Sequence, residues 1–204
     1  MNKGKYYIAL IAIFSLFILF ATRDSNLSVE NQKAPDREKA LAEAGDVENL
    51  VASSFRSWHW TQNYYALPWT LTTMADEISS SWGNNAMNEL SSEPRIGWNN
   101  SPSYVDAAAS EDLWGPAYEA ISNASDGLKM IAEGLEIVDD AGNDHTARVT
   151  AWGKFVQGLG HCMIAQVYDK GFVLDETIDL GAGIEPVPFD QVHAAGMQKL
   201  QEAI

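Results

Sequence analysis

The chain has 204 residues, 46% of them hydrophobic and 20% charged, with a net charge of −15 and a sequence pI near 4.4. Such a composition excludes disorder throughout and is sufficient for one sizeable core. The acidic balance disfavours nucleic-acid binding, because a phosphate backbone would be repelled, and between Ser57 and Leu128 the only basic side chain is Arg95.

At the N-terminus, Lys3 and Lys5 precede an apolar run from Tyr6 to Ala21, the layout of a secretory signal, so export is expected. The run is short for a membrane-spanning helix, which needs about 20 residues, and long for a signal core. Residues 1–22 therefore read either as a signal peptide or as a retained N-terminal anchor. The single cysteine, Cys162, provides no disulfide framework, so an exported fold here must rest on core packing. A polar tether follows over residues 23–35.

From Asp46, a possible cap, Val47, Leu50, Val51, Ser54 and Phe55 share one helical face. The stretch from Met74 to Tyr104 has no helical or strand period. It holds seven serines, five asparagines, two tryptophans and a tyrosine. Too aromatic for a disordered linker and too polar for a core segment, it reads as a long ordered loop, the kind of segment that carries binding functions. From Asp112 to Leu135, apolar residues recur at three and four, from Leu113 through Tyr118, Ile121 and Leu128. A second helix spans about Asp144 to Lys170, with Ala147, Ala151, Phe155, Leu159, Cys162, Met163 and Val167 as its apolar face. The Asp-, Gly- and Asn-rich "DDAGNDH" forms the turn between the two. A period of about 34 residues makes this an αα-hairpin of tetratricopeptide size. A second long loop, "GFVLDETIDLGAGIEPVP", precedes a helix from about Phe189 with Val192, Gly196, Leu200 and Ala203 on one face. This last helix carries no closing cap, and a helical array needs one, so the expected arrangement is the N-terminal part of a longer protein.

Five blocks then carry a family resemblance: "NQKAPDREKALAEAGDVENLVASSFRSW", "MADEISSSWGNNAMNELSSEPRIGWNN", "WGPAYEAISNASDGLKMI", "FVQGLGHCMIAQVYDKGFVLDE" and "VPFDQVHAAGMQKLQEAI". In this order, over roughly Ala34 to Ile204, they resemble the SusD/RagB family of nutrient-uptake proteins. The resemblance implies a mainly α fold of tetratricopeptide-like helix pairs with long ordered loops, residues 36–204 forming the N-terminal part of that domain. It also implies a cell outer-membrane protein that captures oligosaccharides or similar nutrients and acts with a TonB-dependent transporter of the SusC type. One departure is plain: where the family has a lipid-bearing cysteine followed by aspartate, this chain has Arg23 before Asp24, so membrane attachment would fall to the N-terminal segment.

No catalytic set emerges from the residues. Asp76-Glu77, Glu111-Asp112 and Asp139-Asp140 are sequence neighbours, and neighbours seldom converge on one bond as general acid/base work requires. "DDAGNDH" lacks the distal glutamate of a calcium loop, and the four histidines show no ligand spacing, so neither a metal nor a cofactor is expected. A non-enzymatic binding protein is the reading, with a helical scaffold that binds a protein partner and no nutrient as the alternative.

Tryptophan is the informative residue. Six of the seven fall between positions 58 and 114. Trp58 and Trp114 lie on predicted helices and read as core. Sugar rings stack their flat C–H faces on aromatic rings, and amides and hydroxyls answer sugar hydroxyls. The candidate ligand contacts are therefore Trp82, Asn84, Arg95, Trp98, Asn99 and Tyr104. The competing reading makes Trp82 and Trp98 plugs that pin the loop, and pairs Arg95 with Glu93; the sequence leans to the pin.

Overall fold

Helix α1, Ala44–Asn63, forms because Val47, Val51, Ser54 and Thr61 recur on one stripe, and all four are fully buried. Ser54 and Thr61 donate their hydroxyls to the carbonyls of Val51 and Trp58, so neither is a buried polar liability. Asp46 is not a cap: the helix starts two residues earlier, and the carboxylate sits in its first turn, where it favours the positive end of the helix dipole. The structure is a computed structural model that describes residues 41, 43–63, 66–94, 96–97, 99 and 101–204. The expected signal or anchor, the polar tether, Arg95 and Trp98 lie outside these.

A short helix α2, Ala66–Met74, leads into the serine- and asparagine-rich loop, which holds one helical turn, α3, Met87–Leu90. Helix α4 spans Ala108–Ala132 and starts before Asp112, which lies within it rather than at its cap. Its buried stripe is Ala109, Leu113, Ala117, Ala120, Ile121, Ala124 and Leu128. The alanines let α1 close in: Phe55 and Trp58 pack on Ala120 and Ala124, while Val47 and Val51 reach Gly127. Rising numbers on one helix meet falling numbers on the other, so α1 and α4 run antiparallel.

Helix α5, Thr146–Val167, corrects the sequence expectation about which face is buried. Of the residues assigned to its apolar face, Ala147 is exposed, and Ala151, Phe155, Leu159, Cys162, Met163 and Val167 are only half-buried. The buried set is Val149, Gly153, Val156, Gln157, Gly158, Gly160, His161 and Ile164. Glycine explains the difference, since a residue without a side chain carries no hydrophobic signal yet permits the closest backbone approach. Gly153 and Gly160 face Leu128 and Ile121 of α4. On another side, Gly158 meets Leu200 and Gly196 of helix α6, Phe189–Glu202. Both neighbours run antiparallel to α5, so α4–α5 and α5–α6 are successive helix hairpins.

Between α5 and α6 the chain makes a minimal two-stranded ladder, β1 (Lys170–Gly171) antiparallel to β2 (Val187–Pro188), with Lys170 opposite Pro188. The ladder ties the ends of the second long loop together. Three clusters fill the interior. Leu113, Ala117, Ile164 and Val192 join α4, α5 and α6; Val47, Val51, Ile137 and Val149 join α1 to the α4–α5 turn; Ala120, Ala124 and Val156 lie between.

The α5–α6 seam provides a sharp test. A Cβ added at Gly196 would stand 2.8 Å from Cys162 Sγ and 2.9 Å from the Cys162 backbone nitrogen, and backbone cannot rotate away. Gly196→Ala is expected to lower stability by about 1–3 kcal/mol in chemical denaturation, the usual cost of overpacking. The same change at Gly115, where a Cβ meets nothing within 4 Å, is the control and leaves stability equal or slightly higher.

Candidate functional site

The described part of the loop from Ala75 to Ala107 is held at its base by apolar residues. Ala86, Met87 and Leu90 are buried. Asn85 and Ala86 adopt left-handed backbone (φ 53° and 57°), a conformation unfavourable for alanine that bends the chain inward, and Thr70 Oγ1 donates to the Asn85 carbonyl at 2.9 Å. The outer part is tied by short-range polar bonds: Ser101 N–H donates to Asn99 Oδ1 (3.0 Å), and Asn88 Nδ2 to the Ser81 carbonyl (3.5 Å). Tyr104 donates its hydroxyl to Glu89 Oε2 at 2.5 Å. That hydrogen bond, with smaller contributions from burial and the Glu89 charge, pushes the phenol up to about 12.

The expected ligand contacts divide accordingly. Trp82 is 67% exposed, with Ser80 Oγ accepting from its backbone N–H. A ring so exposed cannot be a plug, so the pin reading does not hold for Trp82. Asn84 is exposed nearby on a single 3-10 turn, Asn84–Ala86. Asn99 and Tyr104 serve the loop's own structure. They border a space of only about 10 Å³ beside Leu90 and Ala109, too small for more than a water. Trp58 and Trp114, read as core, are half-buried; Trp114 stands against Tyr118, Tyr168 and Phe172 in an aromatic group.

A second constellation was missed by sequence reasoning. Helix α5 carries Lys154, Gln157 and His161 on one stripe, and the loop after β1 folds down on it. Lys154 Nζ lies 2.5 Å from Glu176 Oε1 and 2.9 Å from Glu202 Oε2; Lys199 Nζ lies 2.8 Å from Asp175 Oδ2. Gln157 Nε2 donates to Ser125 Oγ (2.8 Å) and to Glu176 Oε2 (3.0 Å). Leu174 N–H donates to His161 Nε2 at 3.1 Å, which makes Nδ1 the protonated nitrogen, donating to the Gln157 carbonyl at 2.7 Å. His161 is thus a neutral structural acceptor. The spacing of three polar residues at three and four within the glycine-rich part of the helix was the available signal.

Electrostatics agree with that geometry. Burial, aided by the Lys199 charge, pushes His161 below its ordinary value. Burial alone would raise Asp175, but the Lys199 and Thr177 hydrogen bonds outweigh it and hold the carboxyl at about 2; Glu176 is likewise held down by Lys154 and Gln157 against its burial. Burial would lower Lys154, yet its bonds to Glu176 and Glu202 keep it above the usual lysine range. The "DDAGNDH" turn is self-satisfied: Asp139 accepts from Asn143 side chain and backbone, from Ala141 N–H and from His145. Among the described residues no group of three or more His, Cys, Asp or Glu side chains could hold a metal, and no helix is long and apolar enough to cross a membrane.

Comparison with protein-family models, with curated proteins and with solved structures finds no match to this chain.

The neutral imidazole gives a pH prediction. A histidine whose folded-state pKa is depressed leaves the fold most stable above its unfolded pKa, about 6.5, and that stability is lost as pH falls below it; Asp175 and Glu176, whose folded values are lowered, add a further loss below about pH 4. Thermal melts are expected to drop between about pH 7.5 and pH 5, with a shallower drop for His161→Gln. Identical slopes for the two proteins would show that His161 does not titrate on unfolding.

Proposed function

We propose that this chain is an exported, non-enzymatic nutrient-binding protein of SusD/RagB type, which captures an oligosaccharide and delivers it to a SusC-like TonB-dependent transporter at the cell outer membrane. The observation that carries the reading is Trp82: a ring 67% exposed on a loop whose base is anchored by Ala86, Met87 and Leu90. An exposed indole in an ordered, hydroxyl- and amide-rich segment offers a flat ring face beside hydrogen-bonding groups, and a sugar face is the partner that this mixture suits. The successive antiparallel pairs α4–α5 and α5–α6 are compatible with tetratricopeptide-like helix pairs. In the family-type arrangement, residues 36–204 supply the N-terminal part of the binding domain and residues 1–22 the export signal or anchor.

The alternative, a scaffold that binds a protein partner, also has an observation in its favour. A groove of about 780 Å³ between α1, α5 and α6 is lined by Ala52, Trp152, Phe155 and Leu200, and Trp152 is 39% exposed within it. Aromatic and aliphatic residues in a groove suit a protein anchor better than a glycan.

Trp82→Ala separates the two. Loss of a stacking ring costs about 1 kcal/mol, roughly a fivefold weaker affinity. Calorimetric titration with neutral oligosaccharides is expected to show that loss with an unchanged melting temperature, since the ring is not part of the packing. Intact chain that binds no member of a broad oligosaccharide panel, while retaining a protein partner lost on Trp152→Ala, would overturn the nutrient reading in favour of the scaffold.

A further inference from the structure

A pocket of about 290 Å³ lies along the seam of α1 and α4 and shares no lining residue with the Trp82 loop or with the groove beside Trp152. Two helical stripes form it. On α1, Ser53, Arg56, Ser57 and Trp60 fall at spacings of three and four and so share one face; on α4, Pro116, Glu119 and Asn123 do the same. The two helices run antiparallel, with Val51 at Gly127. Trp60 and Pro116 therefore stand at one end of the pocket, Ser53 and Asn123 at the other, and Arg56, Ser57 and Glu119 between. The two serines are too short to fill the space between the helices.

The charged groups of this pocket are uncommitted. The guanidinium carbon of Arg56 lies 5.7 Å from the centroid of the Trp60 ring, a contact that orders the side chain without neutralising it. Arg148, Lys154 and Lys199 each hold a carboxylate. Among the described residues Arg56 holds none, and the Glu119 side chain has neither an ion pair nor a hydrogen bond. The two line one pocket yet stand too far apart to pair with each other. Among the described residues the Ser57 hydroxyl and the Asn123 amide also have no hydrogen-bond partner.

We propose that this pocket binds a small zwitterion of free α-amino-acid type, its carboxylate on the Arg56 guanidinium, its ammonium group on Glu119 and its side chain towards Trp60 and Pro116. A guanidinium presents paired N–H donors that match a carboxylate, and a carboxylate, which only accepts, matches an ammonium group. A ligand with a single charge would leave one of the two protein charges unanswered. A ligand of no net charge is also not opposed by the −15 of the chain. The volume is at the small end for ligand sites, which suits one amino acid and not an oligosaccharide. The site stands whether or not the Trp82 surface binds glycans.

The test is calorimetric titration of the full chain at neutral pH with L-alanine, L-serine, L-valine and L-leucine, then with the N-acetyl and amide derivatives of whichever binds best. At least one free amino acid is expected to bind, and each derivative, lacking one charge, to bind about tenfold more weakly. Arg56→Gln should abolish the preference over the amide, and Glu119→Gln the preference over the N-acetyl form, each with about a tenfold loss for the free amino acid. Both side chains are exposed, so the melting temperature is expected to stay unchanged. Trp82→Ala should leave amino-acid binding intact, which keeps this result separate from the preceding proposal. Failure of all four amino acids to bind folded chain, equal affinity for the free and capped forms, or affinity that survives both Arg56→Gln and Glu119→Gln would each overturn the assignment.

Discussion

The constraint on which the rest depends is the backbone contact of α5 with α4 and α6, made through Gly153, Gly158, Gly160 and Gly196. At these points a single added Cβ would stand 2.6–2.9 Å from an atom of the neighbouring helix, inside any tolerable contact. Helices this close gain dispersion along their length, but they leave little room for large side chains at the seam. Three polar residues of α5, Lys154, Gln157 and His161, lie on the stripe that the loop after β1 covers. Because charges under a loop are costly unless paired, that loop supplies Asp175 and Glu176 at the positions that meet Lys199 and Lys154.

The two long loops thus use different physics. The first, 75–107, is fastened at its base by buried Ala86, Met87 and Leu90 and ordered outward by hydroxyl, amide and phenol hydrogen bonds, many within four residues. Such bonds shape a loop locally without packing the Trp82 ring, which stands in solvent. The second, 172–186, is bound to the helices by ion pairs with half-buried to buried partners and by a histidine acceptor. Removing one member of a buried pair strands the other, so this loop is expected to be the less tolerant of substitution.

What the sequence made legible follows from what periodicity measures. Helices α1, α4 and α6 announce themselves because Val47 and Val51, Leu113 and Ile121, and Val192 are apolar residues at helical spacing, and each is buried. Helix α5 was found as a helix but on the wrong face, since Gly153, Gly158 and Gly160 contribute no hydrophobicity to the stripe that packs most tightly. Asp46 and Asp112 read as caps, but α1 and α4 begin earlier, at Ala44 and Ala108, and at α4 no capping side chain marks the start. In the tryptophan-bearing loop, composition predicted an ordered segment, yet it could not say whether a ring faces in or out; that depends on Ala86, Met87 and Leu90 taking the buried positions first. The network around His161 was hidden for a different reason. Its partners lie 13 to 48 residues along the chain from α5's polar stripe, from Leu174 at His161 to Glu202 at Lys154, and no local pattern encodes that distance.

The charge of the chain bears on every ligand considered for it. With −15 overall, long-range attraction favours cations and opposes anions at whichever surface binds, by an amount that salt screens beyond roughly 10 Å at 0.1 M. Stacking on Trp82, as proposed above, depends on contact between ring faces and is nearly insensitive to salt, so a neutral saccharide held there is expected to keep its affinity as ionic strength rises. A ligand whose affinity declines with salt would be read by charge and not by that ring. An anionic glycan is opposed by the field of the chain itself, which narrows the proposed nutrient to neutral or cationic saccharides.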